Sequence, residues 1–225
     1  MTQQSFQGVT YTVDIVFCID ATGSMGEHIN RVKQNALQFH NDVLRVCAEK
    51  NKKISRLRVK VIAFRDYFAG DTVPMAESPF YELSGAESQF RAFVDTIQAD
   101  GGGDIPENSL EALALAIKSE WATTGSKRRQ VVVMFTDAAA HPLEKAPKPA
   151  GYPSGLPGSM AEITNDWENN LHASFKRLIL FAPDEEPWSW ISSNWANAVH
   201  HPAQAGKGLT DIDYGAILEA IQHSV

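Results

Sequence analysis

Asp20, Thr22 and Ser24 stand at alternate positions directly after the apolar run 15–19, and two further aspartates, Asp104 and Asp137, occupy comparable punctuation points later in the chain. Carboxylates and hydroxyls are oxygen donors, the set that a hard divalent cation accepts. No cysteine or paired histidine joins them, so the set favours Mg²⁺ over zinc, with Mn²⁺ or Ca²⁺ as alternatives. Two or three uncompensated carboxylates in one crevice would repel, and a cation resolves that repulsion. Each piece also has an ordinary reading. Ser24 with Glu27 forms a capping box, Asp20 and Thr22 are common turn formers, and Asp104 would serve as the N-cap of a helix beginning at Ile105.

The elements around these residues decide whether they meet. Residues 13–19 are short, β-branched and aromatic, which reads as a buried strand. From Met25 to Glu49, apolar residues at Met25, Ile29, Val32, Ala36, Phe39, Val43 and Val46 repeat at helical spacing. Asp20 to Ser24 is therefore a strand-to-helix turn. Strands are expected over 56–64, 130–136, 177–182 and 198–200, with a short antiparallel edge at 80–83. Helices are expected over 87–98, from Pro106 along the face Leu110, Leu113, Ile117 and Trp121, around Met160 to Leu171, at 188–194 and at 210–222. Pro106 suits a first helical turn. Residues 138–158 hold five prolines and three glycines, too many for regular structure. A loop this long is expected to be functional or mobile.

Strands alternating with helices give an α/β doubly wound, mostly parallel sheet with helices on both faces. The expected arrangement is six strands in the order 3-2-1-4-5-6, with the short antiparallel strand at one edge. If the first and fourth strands lie side by side where the order reverses, Asp20 and Asp137 emerge at one crevice, where such sheets hold ligands. Thr22, Ser24 and the 101–104 loop would surround it. Residues 1–11 read as a short tail and 12–225 as one domain.

Composition narrows the partners. A net charge of −7 argues against a nucleic-acid backbone. No apolar run is long enough to span a bilayer, and the polar N-terminus has no signal-peptide pattern. Cys18 and Cys47, the two cysteines, read as small buried hydrophobes rather than a disulfide framework. These bounds fit a cytoplasmic protein. His28, His40, His200 and His201 read as ordinary histidines without metal-spaced partners.

Asp20-Ala21-Thr22-Gly23-Ser24 resembles the Asp-x-Ser/Thr-x-Ser motif of the von Willebrand factor type A domain, and Phe135-Thr136-Asp137 resembles that family's later aspartate. The Gly-Gly-Gly-Asp-x-Pro-Glu segment at 101–107 and Arg65-Asp66 are similar to the hemicentin and alpha-kinase-linked branch. The resemblance implies a metal-ion-dependent adhesion site with Asp20, Thr22, Ser24, Asp104 and Asp137 around the ion. The family usually supplies a threonine where this chain offers Asp104, which would act as a direct ligand, a water-mediated one or only a cap. A third aspartate would lower the ion's residual charge and weaken its pull on an acidic partner.

Asp66 is expected beside the site without binding the ion, and His141, four residues past Asp137, within reach of it. Tyr152 and Leu156 of the long loop are expected partner contacts. The leading function is an intracellular, non-catalytic, metal-dependent protein-interaction module. Its partner would supply an oxygen ligand, and its C-terminal helix would shift as in relatives that switch. The competing classes are a Mg²⁺- or Mn²⁺-dependent hydrolase or phosphoryl-transfer enzyme and a structural domain with an unused site. The sequence has neither a Gly-x-x-x-x-Gly-Lys-Ser/Thr loop nor a Gly-x-Ser-x-Gly elbow.

Overall fold

The computed structural model describes residues 10–26, 28–49, 53–103, 105–125 and 127–203. Asp104, Glu27 and the expected C-terminal helix lie outside the described residues, as do the side chains of Phe39, His40, Val46 and Cys47. Among the described residues no helix is long and apolar enough to cross a membrane.

The central strand β1 (Thr10–Asp20) pairs in parallel with β2 (Lys53–Phe64) on one side and β5 (Lys127–Phe135) on the other. Beyond β5 lie β6 (Lys176–Pro183) and β7 (Ala198–Ala203), both parallel. The outer edge of β2 carries two short antiparallel pieces, β3 (Met75–Glu77) and β4 (Tyr81–Glu82). The order is β3-β2-β1-β5-β6-β7 with β4 also on β2, so the expected order holds. The edge, however, is two strands rather than one, which makes the sheet seven-stranded. Ser78, Pro79 and Phe80 separate them. Ser78 exchanges hydrogen bonds with the Val61 backbone, while Pro79 has no N–H to extend the ladder.

Side chains along the strands alternate between two cores. Val13, Ile15, Phe17 and Ile19 join Val59, Val61, Val131, Val133, Ile179 and Phe181 beneath α1 (Ile29–Glu49) and α2 (Glu87–Thr96). Val16 and Cys18 join Ile62, Phe64, Val132, Met134, Leu178 and Leu180 beneath α3 (Ser109–Ile117), α4 (Met160–Asn170) and α5 (Trp188–Asn194). The period of two sends every second residue to each layer, so strands covered on both faces are largely apolar.

Two expected boundaries are corrected. The helix after the glycine triplet begins at Ser109, not Ile105, so Pro106 does not open it and a cap at 104 is not needed there. Asn108 takes the capping position, and the helix ends at Ile117, leaving Trp121 beyond it. Met25 belongs to a 3₁₀ turn, Gly23–Met25, that precedes α1, although it is fully buried as a core residue should be.

Candidate metal centre

The parallel register fixes the site. Ile19 faces Phe135 and Asp20 faces Phe64, so β1, β2 and β5 end together. Thr136, the residue after β5, donates its hydroxyl to Asp20 Oδ2 at 2.7 Å. Asp20 Oδ1 accepts from the Thr22 backbone N–H at 3.0 Å and from Thr22 Oγ1 at 2.6 Å. Thr22 Oγ1 lies 3.2 Å from Ser24 Oγ, which in turn donates to Asp137 Oδ1 at 2.9 Å. Residues from two distant segments thus form one continuous run of oxygens. Asp20, Thr22 and Asp137 are buried, and Ser24 is exposed.

The spacing suits a small octahedral ion. With metal–oxygen bonds of about 2.1 Å, adjacent ligand oxygens of an octahedron are about 3.0 Å apart. The contacts from Asp20 through Thr22 and Ser24 to Asp137 run from 2.6 to 3.2 Å. Among the described residues no three histidine, cysteine, aspartate or glutamate side chains gather at metal-ligand spacing. Burial pushes the Asp20 carboxyl up to about 6, opposed by its Thr22 and Thr136 hydrogen bonds and reinforced by the Asp137 charge.

A glycine loop closes one side. Gly23 N–H donates to Gly101 O at 3.0 Å, and Asp100 N–H donates to Ala21 O at 3.0 Å. Gly101 and Gly102 have φ of +67° and +68°, which favours glycine. A Cβ on Gly102 would meet Thr22 Cβ at 2.8 Å and Glu107 Oε1 at 2.9 Å. Gly102→Ala is therefore expected to cost roughly 1–2 kcal/mol from backbone strain alone, more with the overlap, and to displace Thr22. Gly151→Ala, at φ +81° with nothing within 4 Å, separates strain from overlap when both are compared in urea melts.

The remaining expected site residues are brought near in other roles. Asp66 pairs with His141 Nε2 at 3.2 Å, and its Oδ1 accepts from Phe68 N–H at 2.7 Å. His141 packs edge-on against Phe68, with Lys145 Nζ 3.1 Å from each ring nitrogen. Burial holds the imidazole below its ordinary range, against the raising effect of Asp66 and together with the Lys145 charge. Tyr152 is half-buried. Its hydroxyl donates to Glu111 Oε1 at 2.6 Å, and its ring lies 5.3 Å from that of Tyr67. Leu156 packs partly buried against the core beneath α3 and α4.

The long loop has no helix or strand of its own over 138–158, apart from a bridge between Ala140 and Glu107. It is tied down all the same. Trp188 Nε1 donates to Ala138 O at 3.0 Å, Leu143 is fully buried, and Lys118 donates to Gly155 O.

Three participants escaped the sequence reading. Thr136 orients Asp20, and Asp71 Oδ2 accepts from the N–H groups of Asp66 and Gly102. Glu107 is 4% exposed, and its Oε2 has no hydrogen-bond partner. Burial, then the charges of Asp20, Asp66, Asp71 and Asp137, push the Glu107 carboxyl up to about 9. The Pro-Glu pair after the glycine triplet was the available signal, hidden by placing the helix start too early.

Sheet order and site together define an α/β domain with a run of carboxylate and hydroxyl oxygens where the strand order reverses. The family model for the von Willebrand factor A domain matches residues 14–147, and the chain belongs to that family of interaction and adhesion modules. It is 28% identical over 148 residues to a protein named alpha-protein kinase vwkA from Dictyostelium discoideum, covering 66% of this chain and 22% of that protein. The pilus adhesin SpaC from Lactobacillus rhamnosus GG, including its open conformation, superposes with a TM-score of 0.57 at 12% identity. That match covers 95% of this chain and 30% of the adhesin, so the adhesin supports the fold alone.

Proposed function

We propose that this domain is a non-catalytic protein-interaction module whose grip depends on a divalent ion, Mg²⁺ by preference, held by Asp20, Thr22, Ser24 and Asp137. The observation that carries the reading is the run of oxygens from Asp20 to Asp137 at octahedral-edge spacing. Asp104 is a further ligand candidate on sequence grounds and lies outside the described residues. When bound, the ion supplies a Lewis-acidic point to which a partner's oxygen can attach. Asp20 is oriented by Thr136 and Thr22, and the glycine loop packs against Thr22 from the side. Val73 and Ile105, each 51% exposed, are apolar side chains on loops bordering the site and suit partner contact.

A hydrolase or phosphoryl-transfer reading would require a base or nucleophile beside the ion. The imidazole in this region, His141, is engaged by Asp66 and Lys145, which supports binding over catalysis. An intracellular setting belongs to the same reading.

Thermal melts test the ion directly. At an Mg²⁺ concentration about 100-fold above Kd, the folded state is expected to gain about 2.7 kcal/mol over an EDTA control. Asp20→Ala is expected to abolish that gain and, in pull-downs, the EDTA-sensitive part of partner binding. A wild-type melt indifferent to Mg²⁺, Mn²⁺ and Ca²⁺ would remove the metal from the proposal.

A further inference from the structure

Glu107 stands where the fold has no evident structural use for an acid. Its backbone is fully employed: N–H to Ala139 O at 2.9 Å, and C=O accepting from His141 N–H at 2.8 Å. These bonds, with the Ala140 bridge, fasten the residue to the segment just after Asp137. The residue is 4% exposed, with Oε2 unpaired. Oε1 sits beside Gly102, on the side where that glycine faces Thr22. After burial, the largest influences on it are the negative charges of Asp20, Asp66, Asp71 and Asp137.

A buried carboxylate oxygen without a partner is costly, and a structural role would have supplied a donor. Arg65, the basic side chain at the end of β2, does not supply one. Its guanidinium is spent on the carbonyls of Asp100, Val73 and Gln98.

We infer that Glu107 is a positioning residue of the metal centre, its free carboxylate oxygen accepting a hydrogen bond from water on the ion. The inference rests on the metal-dependent reading above. Contact through water, rather than directly, agrees with the lack of three acidic or imidazole side chains at metal-ligand spacing among the described residues. Mg²⁺ suits this arrangement because it dehydrates reluctantly and keeps several waters. Asp20 and Asp137 then hold the ion from the β1 and β5 ends, and Glu107 orients its hydration from the segment before α3. The chemistry also accounts for Gly102, because a side chain there would fill the space between Glu107 and Thr22.

The test is Mg²⁺ titration calorimetry, with melts in EDTA, on wild type, Asp20→Ala, Glu107→Gln and Glu107→Asp. Glu107→Gln is expected to weaken Mg²⁺ binding about tenfold or more, the usual effect of losing a group that orients a metal's ligands. In EDTA at pH 7 the same variant is expected to melt at or above the wild-type temperature, since the amide, like the protonated carboxyl it replaces, is neutral and can donate to the surrounding carboxylates. A merely structural glutamate would give the opposite pair of results. Glu107→Asp keeps the charge, shortens the reach, and is expected to bind Mg²⁺ several-fold more weakly. Wild-type affinity in either Glu107 variant overturns the inference, and either variant suffices if the other fails to fold. Absent Mg²⁺ binding in wild type itself would instead overturn the metal reading on which the inference rests.

Discussion

Between about pH 7 and 8.5 in EDTA, the protein is expected to lose about 2 kcal/mol of stability, and to lose little or none over the same range with Mg²⁺ present. The cause is the pair of raised carboxyls, Asp20 at about 6 and Glu107 at about 9, against ordinary values of 3.8 and 4.5. A group that holds its proton more tightly when folded favours the folded state at low pH. That advantage drains away from the unfolded value up to the folded one. For Asp20 the loss is complete near pH 6, whereas for Glu107 it continues to about 9.

Two histidines, the buried His141 and the half-buried His201, act in the other direction at lower pH. His141 and His201 are both held below 6.5 by burial, so the unfolded chain takes up their protons first and folding gains as pH rises through that value. Above pH 7 both states carry them neutral, and the Glu107 slope stands clear. A divalent ion favours the ionised carboxyls and so flattens the slope. Urea midpoints measured at several pH values with and without Mg²⁺ provide the check. A metal-free stability that rises through this window would contradict the assignment.

Arg58→Ala is expected to cost about 3–5 kcal/mol, because it strands a buried carboxylate far from the metal centre. Asp14 lies mid-strand on β1 with its side chain 1% exposed, and the Arg58 side chain is 14% exposed. Arg58 Nε donates to Asp14 Oδ1 at 2.8 Å and Nη2 to Oδ2 at 2.6 Å, a two-pronged pairing. Ala122 N–H adds a bond to Oδ2 at 2.6 Å, and the guanidinium stacks 4.5 Å over Phe80. Removing the cation leaves Asp14 with the single amide. The double variant Asp14→Ala/Arg58→Met removes both charges, and most of the loss is expected to be recovered. Denaturant melts of Asp14→Ala, Arg58→Met and the double give the coupling. Equal losses in Arg58→Ala and the double variant would mean that packing over Phe80, not charge, carries the effect.

Much of this architecture was legible because its signals are local. An apolar run ending in an acid marks a buried strand and its turn, and two such runs, ending at Asp20 and Asp137, needed only to be neighbours to build a site. The Ile19–Phe135 register makes them so. Thr22 and Ser24 follow from the same turn. What stayed hidden depends on contacts between distant segments. Asp14 gives no sign of Arg58, which becomes its neighbour only through the pairing of β1 with β2. His141 was placed near the site from its distance to Asp137, but nothing in the order of residues points to Asp66 as its partner. Tyr152, read as a surface contact, spends its hydroxyl on Glu111 of α3. Glu107 was obscured by a boundary. A helix begun at Ile105 would have put it on a first turn, whereas the observed start at Ser109 leaves it extended beside Ala140. The divided sheet edge was missed because β3 and β4 are too short to establish any periodicity.

Among Asp20, Thr22, Ser24 and Asp137, Ser24 alone is exposed, which gives the proposed centre a narrow opening on that side. A flat surface laid across such an opening would stop at its frame. What can enter is something narrow and prominent, such as one side chain at the tip of a turn with an oxygen at its end. On this reading, recognition begins with the partner's contour, and charge is consulted only after the shape has passed.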